Sequence, residues 1–261
     1  MECKLTWFLI LQLFISLSYG QSHTSSDTTQ LKILSWNIYM IPRIFIHSGQ
    51  LERANGIVES LKNENVDIVV FEEAFDRKSR EIIRSGLKKN FPYESGDPAK
   101  NVFFKCNSGV WIISKIPITV IKKIYFKNGR GTDRLACKGA MLIEAKKNNF
   151  SFQLAATHLQ SDLQHKDVRR IRKIQYQKIS KELLEPFSIK NIPQFVVGDM
   201  NTIENDSLGL QQMLSILNMK QCFCENKCNY SFDCSKNDFL SNSKDPPQLI
   251  DYIIYDKKEF P

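Results

Sequence analysis

The stretch 195-FVVGDMNT-202 ends an apolar run in glycine, aspartate and asparagine. Phe195, Val196 and Val197 have the aromatic and β-branched character of a strand buried on both faces. Gly198, Asp199, Asn201 and Thr202 then break the run abruptly. The segment is either a plain turn or a place where polar side chains are aimed at a ligand, and the choice depends on what the rest of the chain sets beside it.

Outward from that stretch, apolar residues recur with two periods. The segments 31-LKILSWNI-38 and 66-VDIVVFEEA-74 read as strands. Between them, 50-QLERANGIVESLKNEN-65 reads as an amphipathic helix with Leu51, Ala54, Ile57, Val58 and Leu61 inward. A second helix is expected from about Arg77 to Lys89. The strands 108-SGVWIISK-115, 118-ITVIKKIYF-126, 139-GAMLIEAKK-147 and 150-FSFQLAATH-158 follow, punctuated by Pro, Gly and Asn turns. A long helix begins near Lys166, with Val168, Ile171, Ile174 or Gln175, and Ile179 on its apolar side. Then come the buried strand 194-QFVVGD-199, a short helix over Leu208 to Leu217, and a last strand, 248-QLIDYIIY-255. No internal repeat and no Pro/Gly linker divides the chain. This order predicts an α/β domain in which two sheets face each other with helices outside, an α/β/β/α sandwich.

The polar punctuation falls at strand ends: Asn37, Glu73, His158, Asp199 and Asn201, with Asp251 inside the last strand. In open α/β sheets, ligands bind beyond the carboxyl ends of the strands. Each residue alone has a structural explanation. Asn37 could cap a turn, Glu73 could pair with Arg77, His158 could be a core histidine, and Asp199 could cap the following segment. Together they are a parts list for Mg²⁺-assisted attack of water on a phosphate ester. Magnesium takes one or two carboxylates and keeps several waters, and it neutralises charge developing on phosphate oxygens.

At 261 residues, 42% hydrophobic and 25% charged, the chain can bury a sizeable core, which excludes disorder as its main theme. Its opening, 1-MECKLTWFLILQLFISLSYG-20, has the charge, apolar stretch and small residues of a secretory signal removed near Gly20. The apolar stretch Leu5 to Leu17 falls short of the ~20 residues that span a bilayer. A polar leader over residues 21–30 and a domain over 31–261 follow, in an extracellular protein. Secretion favours disulfides. Outside the signal, one bridge between Cys106 and Cys137 and two within the cluster Cys222, Cys224, Cys228 and Cys234 is the simplest division, although sequence leaves the pairing open. The cluster's spacing fits no standard zinc finger. Asn149, Asn205 and Asn229 open Asn-x-Ser sequons. A net charge of +8 attracts phosphate-bearing partners, whether anionic lipid or nucleic acid. Much of it sits in 165-HKDVRRIRKIQYQK-178, which reads as the solvated face of a packed helix.

The segments 34-LSWNIYMIP-42, 67-DIVVFEEAFD-76, 108-SGVWIISKIPI-118, 133-DRLACKGA-140, 156-ATHLQSD-162 and 196-VVGDMNT-202 resemble the endonuclease/exonuclease/phosphatase superfamily. Within it they resemble the secreted, bacterial-type neutral sphingomyelinases, from about Leu31 to Tyr255. The resemblance implies a deoxyribonuclease I-like fold and a role for each matching position. Glu73 would bind a catalytic divalent ion, Mg²⁺ or another, with Asn37 beside it. His158 would hydrogen-bond the scissile phosphate, Asp199 would position water or metal, and Asn201 would stabilise the transition state. Asp133 and Lys138 would border the substrate pocket. Cys106 and Cys137 stand where bacterial sphingomyelinases carry a disulfide. Asp251 matches a residue that orients a general-base histidine, supplied in the family by a Ser-Asp-His segment near the carboxyl end. This sequence has no such segment. Its histidines are His23, His47, His158 and His165. The expectation is therefore a chain shortened at its carboxyl end, lacking a last strand, and inactive or nearly so as it stands.

The implied activity is hydrolysis of sphingomyelin to ceramide and phosphocholine, with a sphingomyelin-containing membrane as partner and no obligate protein partner. Two other readings are a secreted nuclease on the same fold, favoured by the charge, and a non-catalytic membrane binder, favoured by the missing histidine.

Overall fold

The computed structural model describes residues 30–96, 107–161, 167–221, 230–237 and 245–257. Two mixed sheets face each other, as the sequence pattern predicts. The first has the order β1 (Ile33–Asn37), β2 (Ile68–Glu72), β4 (Trp111–Ser114), β3 (Tyr93–Glu94). The second has the order β5 (Ile118–Tyr125), β6 (Gly139–Lys147), β7 (Phe150–His158), β8 (Gln194–Asp199), β10 (Asp251–Asp256), β9 (Met219–Gln221). The short β3 and β9 carry too few residues for a recognisable period. β1 lies at an edge, parallel to β2, and all its residues are half-buried.

Alternation explains the continuous apolar runs. Ile68 and Val70 of β2, Leu154 and Ala156 of β7 and Val197 of β8 meet between the sheets. Val69 and Phe71 turn instead toward helices α1 (Gln50–Leu61) and α2 (Arg77–Leu87). Ala155 and Val196 turn toward α3 (Val168–Ile179) and α5 (Ser207–Leu217). Both faces of each central strand are covered, so a polar side chain inside one needs a partner, as Gln153 of β7 finds in Gln194 at 2.9 Å. A π-helical stretch, Ser180–Leu184, and the short α4 (Glu185–Phe187) extend α3.

Several local expectations change. In α1 the inward residue at the start is Gln50, not Leu51, which is half-buried. Arg77 pairs with Glu81 rather than with Glu73, at 2.9 Å. Asp76 caps α2 by accepting from Ser79 N–H at 2.9 Å. In α3 the buried residue is Gln175, while Ile174 is exposed. No helix among the described residues is long and apolar enough to cross a membrane. The expected Cys106–Cys137 bridge reaches outside the described residues at Cys106, and Cys222, Cys224 and Cys228 also lie outside them. Among the described residues, the buried Cys137 and the half-buried Cys234 are in no disulfide. Asn149 and Asn205 are exposed in turns; Asn229 is outside the described residues.

Candidate active site

Register brings the site together. His158 at the end of β7 stands opposite Asp199 at the end of β8, and Asp199 stands opposite Asp251 at the start of β10. Gly198 makes this row possible. Its φ is +139°, and a Cβ there would lie 1.9 Å from the carbonyl oxygen of Thr157. No side chain fits, so β7 and β8 approach closely just where their ends turn polar.

The other sheet supplies Asn37, at the end of β1, and Glu73, just past β2. Glu73 has φ +53°, a left-handed conformation costly for a glutamate and often found at functional sites. The turn is held by Met40 N–H, which donates to Glu73 O at 3.0 Å, and by Ala74 N–H, which donates to Gly109 O at 2.9 Å. Asn37 Nδ2 donates to Glu73 Oε1 at 3.1 Å and to Asp199 Oδ2 at 3.2 Å. One amide therefore ties the two sheets together at the floor of an open cleft of about 710 Å³. Glu73, His158, Asp199, Asn201 and Asp251 all line it. Asn201, with φ +49°, donates its N–H to Asp199 Oδ1 at 2.9 Å and its Nδ2 to Leu159 O at 3.2 Å. Asparagine tolerates the left-handed region better than most residues, which accounts for its place after Asp199.

Lys138 and Asp133 stand one layer to the side, lining an adjoining cavity of about 250 Å³. Lys138 Nζ lies 2.9 Å from Asp133 Oδ1, 2.8 Å from Leu159 O and 3.0 Å from His158 Nε2. Asp133 Oδ2 also accepts from the N–H and the hydroxyl of Ser161, at 2.8 and 2.9 Å. An ammonium has only donors, so His158 Nε2 accepts and the ring proton resides on Nδ1. Burial and the neighbouring Lys138 cation hold the imidazole well below its ordinary pKa, so it is neutral. Its Nδ1 is buried with no hydrogen-bond partner among the described residues.

Burial raises the carboxyl groups. Desolvation pushes Glu73 and Asp199 up. Asp251 is pushed up to about 8 by burial and by the charge of Asp199. Its Oδ1 is buried without a partner among the described residues. Sequence reasoning did not single out Glu72, which is fully buried beneath the site and accepts from the Ser35 hydroxyl at 2.8 Å. Its Oε2 has no partner among the described residues, and burial and Asp251 raise its pKa well above the usual range. The signal was present as two consecutive glutamates ending an apolar strand, one of which has to point inward. Arg53 was also missed. Its guanidinium donates to the carbonyls of Ile38 and Tyr39, both at 2.8 Å, and shapes the rim of the cleft.

Among the described residues, no group of three or more acidic, histidine or cysteine side chains is arranged to hold a metal by itself. The donors that do face the cleft suit Mg²⁺, which is content with one or two carboxylates and retains waters. Glu73 is such a carboxylate, with the Asn37 amide beside it.

A model of the endonuclease/exonuclease/phosphatase family matches residues 34–260. The chain belongs to this family. It is 30% identical to a phospholipase C of Staphylococcus aureus over 91% of this chain and 77% of that protein. It is 28% identical to a sphingomyelinase C of Listeria ivanovii over 97% of this chain and 81% of that protein. The crystal structure of beta toxin from Staphylococcus aureus, a mutant with bound magnesium ions, superposes with a TM-score of 0.78. That likeness is at 28% identity and covers 89% of this chain and 86% of the other. Family membership and these relatives make the chain a phosphodiesterase of the superfamily.

Proposed function

We propose that the protein is an extracellular sphingomyelinase C that uses Mg²⁺ to hydrolyse sphingomyelin to ceramide and phosphocholine. The observation that carries the reading is the Asn37 amide shared between Glu73 and Asp199, at 3.1 and 3.2 Å, on the floor of an open cleft. The similarity to bacterial sphingomyelinase C supports the choice of lipid, and the signal-like first residues support secretion.

Glu73 would hold the ion, its carboxylate steadied by Asn37 Nδ2, and the ion when bound would supply positive charge against the phosphate oxygens and the departing alkoxide. Asn201 presents its amide at the cleft wall, positioned to meet charge developing on the phosphate; loss of one such donor typically costs ~10²- to 10³-fold in rate. Asp199 fixes the Asn37 amide and the Asn201 backbone. His158 lines the cleft, but its Nε2 accepts from Lys138, so it would donate to a phosphate only with a proton on that nitrogen. Among the described residues neither His47 nor His158 hydrogen-bonds Asp251.

The test is phosphocholine release from sphingomyelin vesicles with Mg²⁺, with EDTA, and with no added ion. Release with Mg²⁺ that EDTA abolishes is the expected result. Intact sphingomyelin under all three conditions, with cleavage of DNA instead, overturns the reading in favour of a nuclease.

A further inference from the structure

The segment 42–47, between β1 and α1, presents polar groups inward and apolar ones outward. The N–H groups of Phe45 and Ile46 donate to Pro42 O at 2.9 and 3.3 Å. The buried Gln50 side chain donates from Nε2 to Ile41 O at 3.0 Å and to Ile46 O at 2.5 Å. Arg53 adds a bond to Ser48 O at 3.0 Å. The loop is thus pinned from beneath. Yet Ile44, Phe45 and Ile46 are 85%, 64% and 40% exposed. Three consecutive large apolar residues held out to water on a braced loop mark a surface that is covered in use.

Position narrows what covers it. The loop adjoins Tyr39, which lines the cleft. Leu135, Leu208 and Tyr230 are also exposed. Each lies on a segment at the sheet end that carries Asp199: before β6, at the start of α5 after β8, and before β10. Arg130 and Arg134, on the segment of Leu135, are exposed too. Apolar anchors with basic neighbours around one opening suit a phosphate-bearing lipid surface, and the net charge of +8 has the matching sign. A protein seated on this loop would obstruct the cleft mouth, whereas a bilayer delivers a lipid phosphodiester into it.

We infer that the cleft end is the face by which the protein docks on a lipid bilayer, with Ile44, Phe45 and Ile46 as the inserted anchor. This inference rests on the proposed lipid phosphodiesterase reading. Its test is independent of turnover. Sedimentation with sphingomyelin/phosphatidylcholine vesicles is compared for the full chain and for the doubly substituted Ile44→Ser, Phe45→Ser. These side chains are exposed, so thermal melting should not change. Removing two buried anchors should weaken vesicle binding by about tenfold or more. A second variant, Phe45→Trp, reports depth: brominated lipids should quench its fluorescence beyond the quenching seen in the parent.

Unchanged vesicle binding in the serine variant, together with no added quenching at position 45, overturns the inference. So does a full chain that binds no vesicles. If the serine variant releases the vesicles and the tryptophan is quenched while sphingomyelin stays intact in every form, the docking face stands and the substrate assignment fails.

Discussion

The ammonium of Lys138 lies 3.0 Å from His158 Nε2 and 2.9 Å from Asp133 Oδ1, with both charged side chains nearly sealed from solvent. A cation so placed does two things. It neutralises a buried carboxylate, and it keeps the imidazole in one neutral form. Breaking a buried pair by removing one partner leaves the other charge uncompensated and typically costs ~3–5 kcal/mol. Lys138→Met should therefore lower the unfolding free energy by about that amount in a denaturant titration. It should also raise the His158 protonation midpoint seen by NMR, because one of the two causes of its depression is gone. A midpoint that stays put would leave burial as the whole cause.

In the proposed reading Glu73 holds the ion, and burial raises its pKa in the empty fold. Glu73→Gln keeps the shape and removes the charge. Magnesium should raise the melting temperature of the parent by binding the native state, and should leave the Gln variant unmoved. Sphingomyelin turnover, if present, should fall by about 10²-fold or more. Equal Mg²⁺ stabilisation of both proteins would place the ion elsewhere.

Asp251 offers a pH dependence with a definite sign. Its folded pKa of about 8 lies above the 3.8 of an ordinary aspartate. Between those values the native state binds more protons than the unfolded chain, so this group's stabilising contribution is lost as pH rises. Asp251→Asn has no such loss. In EDTA the two proteins should melt together near pH 4, and the variant should gain a lead that grows up to pH 8. A lead of at least about 2 °C is expected, roughly what 1 kcal/mol is worth in a chain of this size. A difference independent of pH would show that Asp251 ionises normally.

Gly198→Ala should be severe. The added methyl would press on the Thr157 carbonyl, within 1.9 Å, and on Glu72 Oε1 at 3.2 Å. The backbone atom cannot swing aside, so β7 and β8 would have to part. A loss above about 4 kcal/mol, reached only when a specific mechanism such as this operates, should appear as failure to fold or a collapsed denaturation midpoint. Gly56, which meets nothing within 4 Å, is the control: its alanine variant should fold normally.

Much of this was legible in the sequence, for identifiable reasons. The strand 194–199 has a pattern that only a two-sided burial explains, and the polar break after Val197 named Asp199 and Asn201 at once. Asn37 and His158 were visible because each ends an apolar run, whereas Asp251, expected inside the strand 248–255, stands at the start of β10. Glu73 was named, but its neighbour Glu72 was passed over, since alternate positions on a strand differ only by which face is buried and that is set by partners far away in sequence. Lys138 and Asp133 were expected at the pocket, yet their pairing with each other and with His158 depends on how the segment 126–138 lies against β7, which no local period encodes. Gln50 replaced Leu51 inside α1 for a similar reason: the loop it braces needed two carbonyls satisfied, and a buried amide met that need.

The row His158, Asp199, Asp251 has a consequence for quality control. Side chains alternate along a strand, so sliding β8 by one residue would put Gly198 or Met200 into the row and turn Asp199 away from the cleft. The same slip would drive Val197 out of the space between the sheets. Wrongly zipped molecules thus forfeit the reaction centre and the core in one stroke. Measured turnover per mole is then also a census of correctly aligned chains.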